Sequence, residues 1–150
     1  MSSVLNRWTV PVLAALGLAD STYLSVLHWM GEIPPCGNYR GCADVNTSPF
    51  AEIFGVPTAA FGIVVSLFVL GISLWRIRAE GRSHLNATLV MYALVLSEAL
   101  FMAYLTGIEV LVLHAVCYWC LGMAASVVIM LVLLMRDIWV AAGAVPQSST

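Results

Sequence analysis

The sequence predicts an all-α integral membrane protein: a four-transmembrane-helix bundle with one extracytoplasmic loop and a short interfacial half-helix. Three observations carry this. Of 150 residues, 61% are hydrophobic and only 9% charged, whereas a soluble domain needs about a quarter charged residues to cover itself. Apolar runs long enough to cross a hydrocarbon core of roughly 30 Å, about 20 residues each, occur four times. Those runs and their connections use nearly the whole chain, so a single membrane domain over residues 1–150 is expected.

The first run extends from Trp8 to about Met30, interrupted by Pro11 and Asp20. A signal peptide is the competing reading, because Arg7 precedes the run and Ala14, Ala15 and Ala19 are small. The apolar character continues through Tyr23, Leu24, Val26 and Leu27 to Trp29, past a usual signal core, which favours a retained span. Residues 31–56 form the loop, opened by Pro34-Pro35-Cys36-Gly37-Asn38, turn chemistry that ends a helix. Asp44-Val45-Asn46-Thr47-Ser48-Pro49 follows, rich in capping residues. Phe50, Ile53 and Phe54 then fall at i, i+3, i+4 and predict a half-buried helix over residues 50–55.

The second span runs from Pro57, a residue suited to a first helical position, to Trp75, ahead of Arg76-Ile77-Arg78. A short link with Glu80 and Arg82 leads into a long apolar stretch. Thr106-Gly107 is the expected break, giving a third span over 87–106, a connection over 107–116 and a fourth span over 117–135. Arg136-Asp137 and a tail of small residues close the chain.

Positive charge near span ends marks the cytoplasmic side. Arg7, Arg76, Arg78, Arg82 and Arg136 fall on one side and Arg40 alone on the other. Both termini and the short link are therefore expected in the cytoplasm, and the loop and the start of the fourth span on the extracytoplasmic face. With no Lys and no basic patch, nucleic-acid binding has no electrostatic basis.

This topology brings all four cysteines to one membrane surface. Cys36 and Cys42 stand on the loop; Cys117 and Cys120 open the fourth span as Cys117-Tyr118-Trp119-Cys120. A Cys-x-x-Cys at a helix N-terminus meets unpaired amide N–H groups and the positive end of the helix dipole, which favour thiolate on the first sulfur. Such a pair can close an exchangeable disulfide. Cys120 lies one turn deeper, within reach of a two-electron acceptor dissolved in lipid, such as a quinone. The loop pair can present one sulfur to a soluble partner and carry electrons inward. Three alternatives compete: two static structural disulfides, a four-cysteine zinc site, and inert apolar cysteines. Connectivity does not follow from spacing.

Asp20, Glu98 and Glu109 are costly against lipid and are expected to face the bundle interior or the interface. Helix–helix hydrogen bonding and a proton relay are the two roles open to them. Glu109 and His114 precede Cys117 and are placed to trade protons there. His28 reads as interfacial, His84 as solvated, and Tyr118 and Trp119 as belt residues.

The loop pair Cys36…Cys42, then Val45 and Ser48, then Phe54-Gly55-Val56-Pro57-Thr58-Ala59-Ala60-Phe61-Gly62 and finally Cys117-Tyr118-Trp119-Cys120 resemble the vitamin K epoxide reductase family over about Thr9 to Met135. The order of the pairs is specific, because the other four-helix quinone-linked disulfide family has its Cys-x-x-Cys after the first span. The resemblance implies a bundle around a quinone pocket and a redox relay. In that relay Cys36 takes electrons from a thioredoxin-like partner, Cys42 passes them to Cys117, and Cys120 meets the quinone. By analogy, Phe54, Thr58, Phe61 and Ala124 line the pocket, and Ser48 positions the loop pair.

Thr58 stands where the vitamin-K-reducing animal enzymes hold the ring carbonyl with Asn, and Ala124 where they use Tyr. Both departures speak against epoxide reduction and leave quinone reduction intact. Some bacterial members carry a fused thioredoxin domain; too few residues follow Arg136 for one here, so the partner is expected as a separate protein. The expectation is a bacterial-type enzyme of the inner or plasma membrane that oxidises a DsbA-like or thioredoxin-fold partner and reduces menaquinone or ubiquinone. A vitamin K quinone or epoxide reductase is the alternative within the enzyme class. A structural tetraspan protein with two static disulfides is the alternative outside it.

Overall fold

A computed structural model describes residues 2–38, 40–78 and 82–143. Glu80 and the tail from Ala144 onward lie outside the described residues. Four helices are long and apolar enough to cross a membrane, with candidate spans Trp8–Met30, Thr58–Arg76, Ser83–Leu113 and Tyr118–Val140. They belong to α1 (Ser2–Met30), α3 (Thr58–Arg76), α4 (Arg82–Ile108, continued by a π-helical turn over Glu109–Leu113) and α5 (Tyr118–Ala141). The loop carries a short helix, α2 (Gly41–Asn46), and a two-stranded hairpin, β1 (Glu52–Ile53) and β2 (Val56–Pro57).

α1 and α3 form the most extensive pairing in the bundle. Small residues permit it: a Cβ on Gly17 would lie 3.2 Å from Ser66 Oγ, and one on Gly62 would run into Ser21 Oγ. Close approach of backbones is what holds membrane helices together, since apolar burial alone gains little where lipid is equally apolar. Val10, Ala14, Val69, Met91, Val95, Val127, Met130 and Leu134 make the buried core, while Leu16, Phe68 and Leu100 are exposed, as lipid-facing residues should be.

One end of the bundle is pinned by a buried cation. Arg76, 4% exposed, donates to Asp137 Oδ2 at 2.9 Å and to Thr88 Oγ1 at 3.2 Å, tying the ends of α3, α4 and α5 together. At the other end the loop folds back. Trp119 Nε1 donates to Pro35 O at 3.1 Å, its ring packs on Tyr23 with centroids 5.2 Å apart, and His28 Nε2 lies 3.0 Å from Glu52 Oε1 of β1.

Several expectations are corrected. Residues 50–55 are not a helix. Ile53 pairs with Val56 across a two-residue turn, and both turn residues have positive φ, Phe54 at 53° and Gly55 at 78°. That is the geometry that matches the twist of a hairpin, and a left-handed pair cannot continue a helix. The loop's helix instead lies at α2 and carries Cys42. Pro57 caps α3 rather than opening it. The third helix does not break at Thr106-Gly107 but runs through to Leu113, and the turn falls at His114, whose φ of 51° reverses the chain. A glycine in a helix costs only about 1 kcal/mol, far less than exposing unpaired backbone groups to lipid.

Candidate active site

Cys36 and Cys42 form a disulfide, with Cα atoms 6.2 Å apart. The two sulfurs differ in access: Cys36 is partly exposed at the loop surface, whereas Cys42 is sealed on α2, which packs against the π-helical turn. Asn46 Nδ2 donates to Cys42 O and Ser48 Oγ to Val45 O, so Ser48 braces the end of α2 next to the pair.

Cys117 and Cys120 are free thiols. Cys117 is fully buried and is the N-cap of α5, its extended backbone leaving Sγ to accept the Cys120 N–H at 3.5 Å. A hydrogen bond from the Cys120 side chain, helped by backbone N–H groups of the first turn, holds the Cys117 thiol below the usual thiol range. The Cys117 N–H in turn donates to Glu109 Oε2 at 3.1 Å, so the carboxyl fixes the cap. The π-helical turn delivers Glu109 there; its wider winding re-aims the last residues of α4 toward α5. His114 is exposed, whereas Glu109 is buried.

A cavity of about 270 Å³ opens beneath the loop, walled by α1, α3, α4, α5 and the hairpin. Cys120 lines it and Cys117 does not. Of the four residues expected to line a pocket, Thr58 and Phe61 do so, Phe61 packing on Phe101 with ring centroids 6.2 Å apart. Phe54 and Ala124 do not. Phe54 is the hairpin tip and is 103% exposed, because a left-handed turn residue points its side chain away from the ladder. Ala124 is one position past Met123, which lines the wall in its place.

Asp20, His28, Glu98 and Glu109 also line the cavity. Their periodicity could have grouped them: Asp20, Leu24 and His28 fall on one stripe of α1, and Glu98, Phe101, Leu105 and Ile108 on one stripe of α4. Among the described residues, no three His, Cys, Asp or Glu side chains gather closely enough to hold a metal ion.

Compared with known protein families, residues 8–135 match the vitamin K epoxide reductase family. The chain belongs to the vitamin K epoxide reductase family. The match runs from the first span through the fourth, taking in both cysteine pairs. Comparison with curated proteins returns no match. As a member of the vitamin K epoxide reductase family, a group that uses quinones as electron partners, this integral membrane protein has a redox function. The cavity suits the aromatic head of such a molecule: it is mostly apolar, it is bordered by Phe61 and Phe101, and a sulfur forms part of its wall.

Proposed function

We propose that the chain is a quinone-dependent thiol–disulfide oxidoreductase whose catalytic residues are Cys36, Cys42, Cys117 and Cys120. The observation that carries the reading is the position of Cys120, one sulfur of a contacting thiol pair, on the wall of an apolar cavity between membrane helices. In the donor step, a dithiol of a thioredoxin-fold or DsbA-like partner attacks the accessible Cys36, and exchange leaves the partner oxidised and the loop pair reduced. Cys42, sealed on a helix that packs against the π-helical turn, then attacks a Cys117–Cys120 disulfide at Cys117. That exchange re-forms the loop disulfide and leaves Cys117 and Cys120 as thiols. The two thiols finally give two electrons and two protons to a quinone and close their disulfide.

Quinone supplies the two-electron sink. Cys120, Thr58 and Phe61 would hold it, Thr58 as a wall residue whose hydroxyl donates to Ala51 O at 3.2 Å, and Cys117 stays out of its contact. Attack at Cys117 releases Cys120; the low thiol pKa of Cys117 then makes it a good leaving group when Cys36 attacks Cys42 of the Cys42–Cys117 mixed disulfide and re-forms the loop disulfide. The Glu109 carboxyl, bonded to the Cys117 N–H, keeps the cap in place through the cycle. The active unit is one membrane domain, with the cysteines on the extracytoplasmic face and both ends in the cytoplasm; the distribution of Arg supports that orientation.

The test is quinone reduction by purified protein, driven either by a reduced thioredoxin-fold donor or by a small dithiol. Cys120→Ala abolishes turnover with both donors. Cys36→Ala loses turnover with the protein donor and keeps that with the small dithiol. A wild type that reduces no quinone from either donor, its cysteines locked in disulfides, overturns the reading in favour of a structural role. Orientation is checked separately: a membrane-impermeant maleimide on intact cells labels a cysteine placed at Phe54 and not one placed at Arg78.

A further inference from the structure

Two carboxyl groups on the cavity wall are idle in the thiol chemistry. Glu98, on α4, is 6% exposed, and neither of its oxygens has a hydrogen-bond partner among the described residues, yet the side chain lines the cavity. Asp20, on α1, lines the same cavity, with Oδ2 likewise sealed and unpartnered. A buried polar group without a partner costs about 1–3 kcal/mol, and an acid within a membrane span adds to that. An apolar side chain at position 98 would carry no such cost. A hydrogen-bonding molecule in the cavity would supply the bonds these oxygens lack.

The helices fix where Glu98 stands relative to the sulfur. Phe101 meets Phe61, and a Cβ on the adjacent Gly62 would lie 3.4 Å from the methyl of Met123. α4 runs toward the cysteine end and α5 away from it, so Glu98 is one turn below Phe101 and Cys120 one turn above Met123. The two groups are about two turns apart, roughly 10 Å along the bundle. Cys120 and Glu98 thus line one cavity at different depths.

We propose that Glu98 is the buried proton donor of this site, hydrogen-bonding the quinone oxygen that points away from Cys120 and protonating it on reduction. The inference rests on the quinone reading above. The balance closes within the site. Cys117 and Cys120 lose two electrons and two protons as their S–S bond forms. One thiol proton reaches the near oxygen, and Glu98 gives its own proton to the far one. The second thiol proton restores Glu98 by way of Asp20, so dithiol plus quinone becomes disulfide plus hydroquinone. Glu109, the other cavity acid on α4, is engaged with the Cys117 N–H and is not the donor to the far oxygen.

The experiment uses the full chain in lipid nanodiscs with a short-chain naphthoquinone as probe. Three quantities are read: affinity from tryptophan quenching, the single-turnover rate of dithiol oxidation, and the infrared difference spectrum on quinone binding. Glu98→Gln keeps a hydrogen-bond donor, so affinity stays within about threefold while the rate falls about 100-fold or more. Wild type shows a carboxylic-acid C=O change on binding that Glu98→Gln removes. Glu98→Leu weakens binding by up to about tenfold and is as slow as Glu98→Gln. A Glu98→Gln protein that oxidises at the wild-type rate overturns the inference and leaves the quinone reading standing. A wild type without any carboxyl change on binding overturns it as well, whether or not the variants fold. A wild type that neither binds nor reduces the naphthoquinone overturns both.

Discussion

At the scale of single residues, two positions separate what fills space from what does chemistry. Gly62 exists because Ser21 Oγ occupies the place its side chain would take. Gly62→Val should push α1 from α3 and cost about 1–3 kcal/mol, read as a lower melting temperature in detergent. Ser21→Ala in the same protein should restore part of the loss, because it removes the atom that is struck. Phe54 is the reverse case. It is fully exposed in a left-handed turn position and touches no part of the cavity. Phe54→Asn makes Asn-Gly, the sequence that such a turn favours. The variant should melt at or above the wild-type temperature and bind quinone with unchanged affinity. A tenfold loss of affinity would return Phe54 to the pocket.

At the scale of elements, the hairpin and α2 form a lid held by few bonds. Trp119 Nε1 to Pro35 O and His28 to Glu52 tie its edges to the bundle, one from α5 and one from α1. Trp119→Phe keeps the packing on Tyr23 and removes the donor. The cost should be about 1 kcal/mol, seen as faster hydrogen exchange of the loop amides and quicker alkylation of reduced Cys36, with the four spans unaffected. If the loop is equally protected in the variant, the Trp119 bond contributes nothing to holding the lid. The helix α2 was hard to read from sequence because six residues are too few to show a period, and the apolar trio Phe50, Ile53, Phe54 satisfied a helical template while belonging to a turn and hairpin. Positive φ at Phe54 decides the matter, and a local pattern of apolar residues does not contain it.

At the scale of the whole molecule, the bundle is fastened at one end by charge and left hollow at the other. Arg76 is buried and spans three helices. Asp137→Asn leaves that charge without its ionised partner; breaking a buried pair costs about 3–5 kcal/mol, less here because the Asp137 side chain keeps 25% of its exposure. The expected result is a clear drop in melting temperature, with the cysteine chemistry intact in the protein that remains folded. Arg76→Met combined with Asp137→Leu should recover most of the loss, since a matched apolar pair carries no buried charge. If Asp137→Asn melts like wild type, Thr88 and other partners suffice to hold the guanidinium.

The sequence by itself determined the membrane class, the four spans to within a few residues at most ends, and the grouping of the cysteines as two pairs. Hydropathy and span length are local properties that the bilayer reads directly, so no tertiary contact can override them. Only the tertiary structure decided that the third helix continues through Gly107, that Cys120 and not Cys117 faces the cavity, and that Thr58 and Phe61 share its wall while Phe54 and Ala124 do not. It alone brought Asp20 and Glu98, from helices far apart in sequence, to one void, where Asp20 Oδ2 and both Glu98 oxygens lack a hydrogen-bond partner among the described residues. Which faces of different helices meet is a non-local choice, set by the close approach of small residues such as Gly17 and Gly62. No single segment of the chain carries that information.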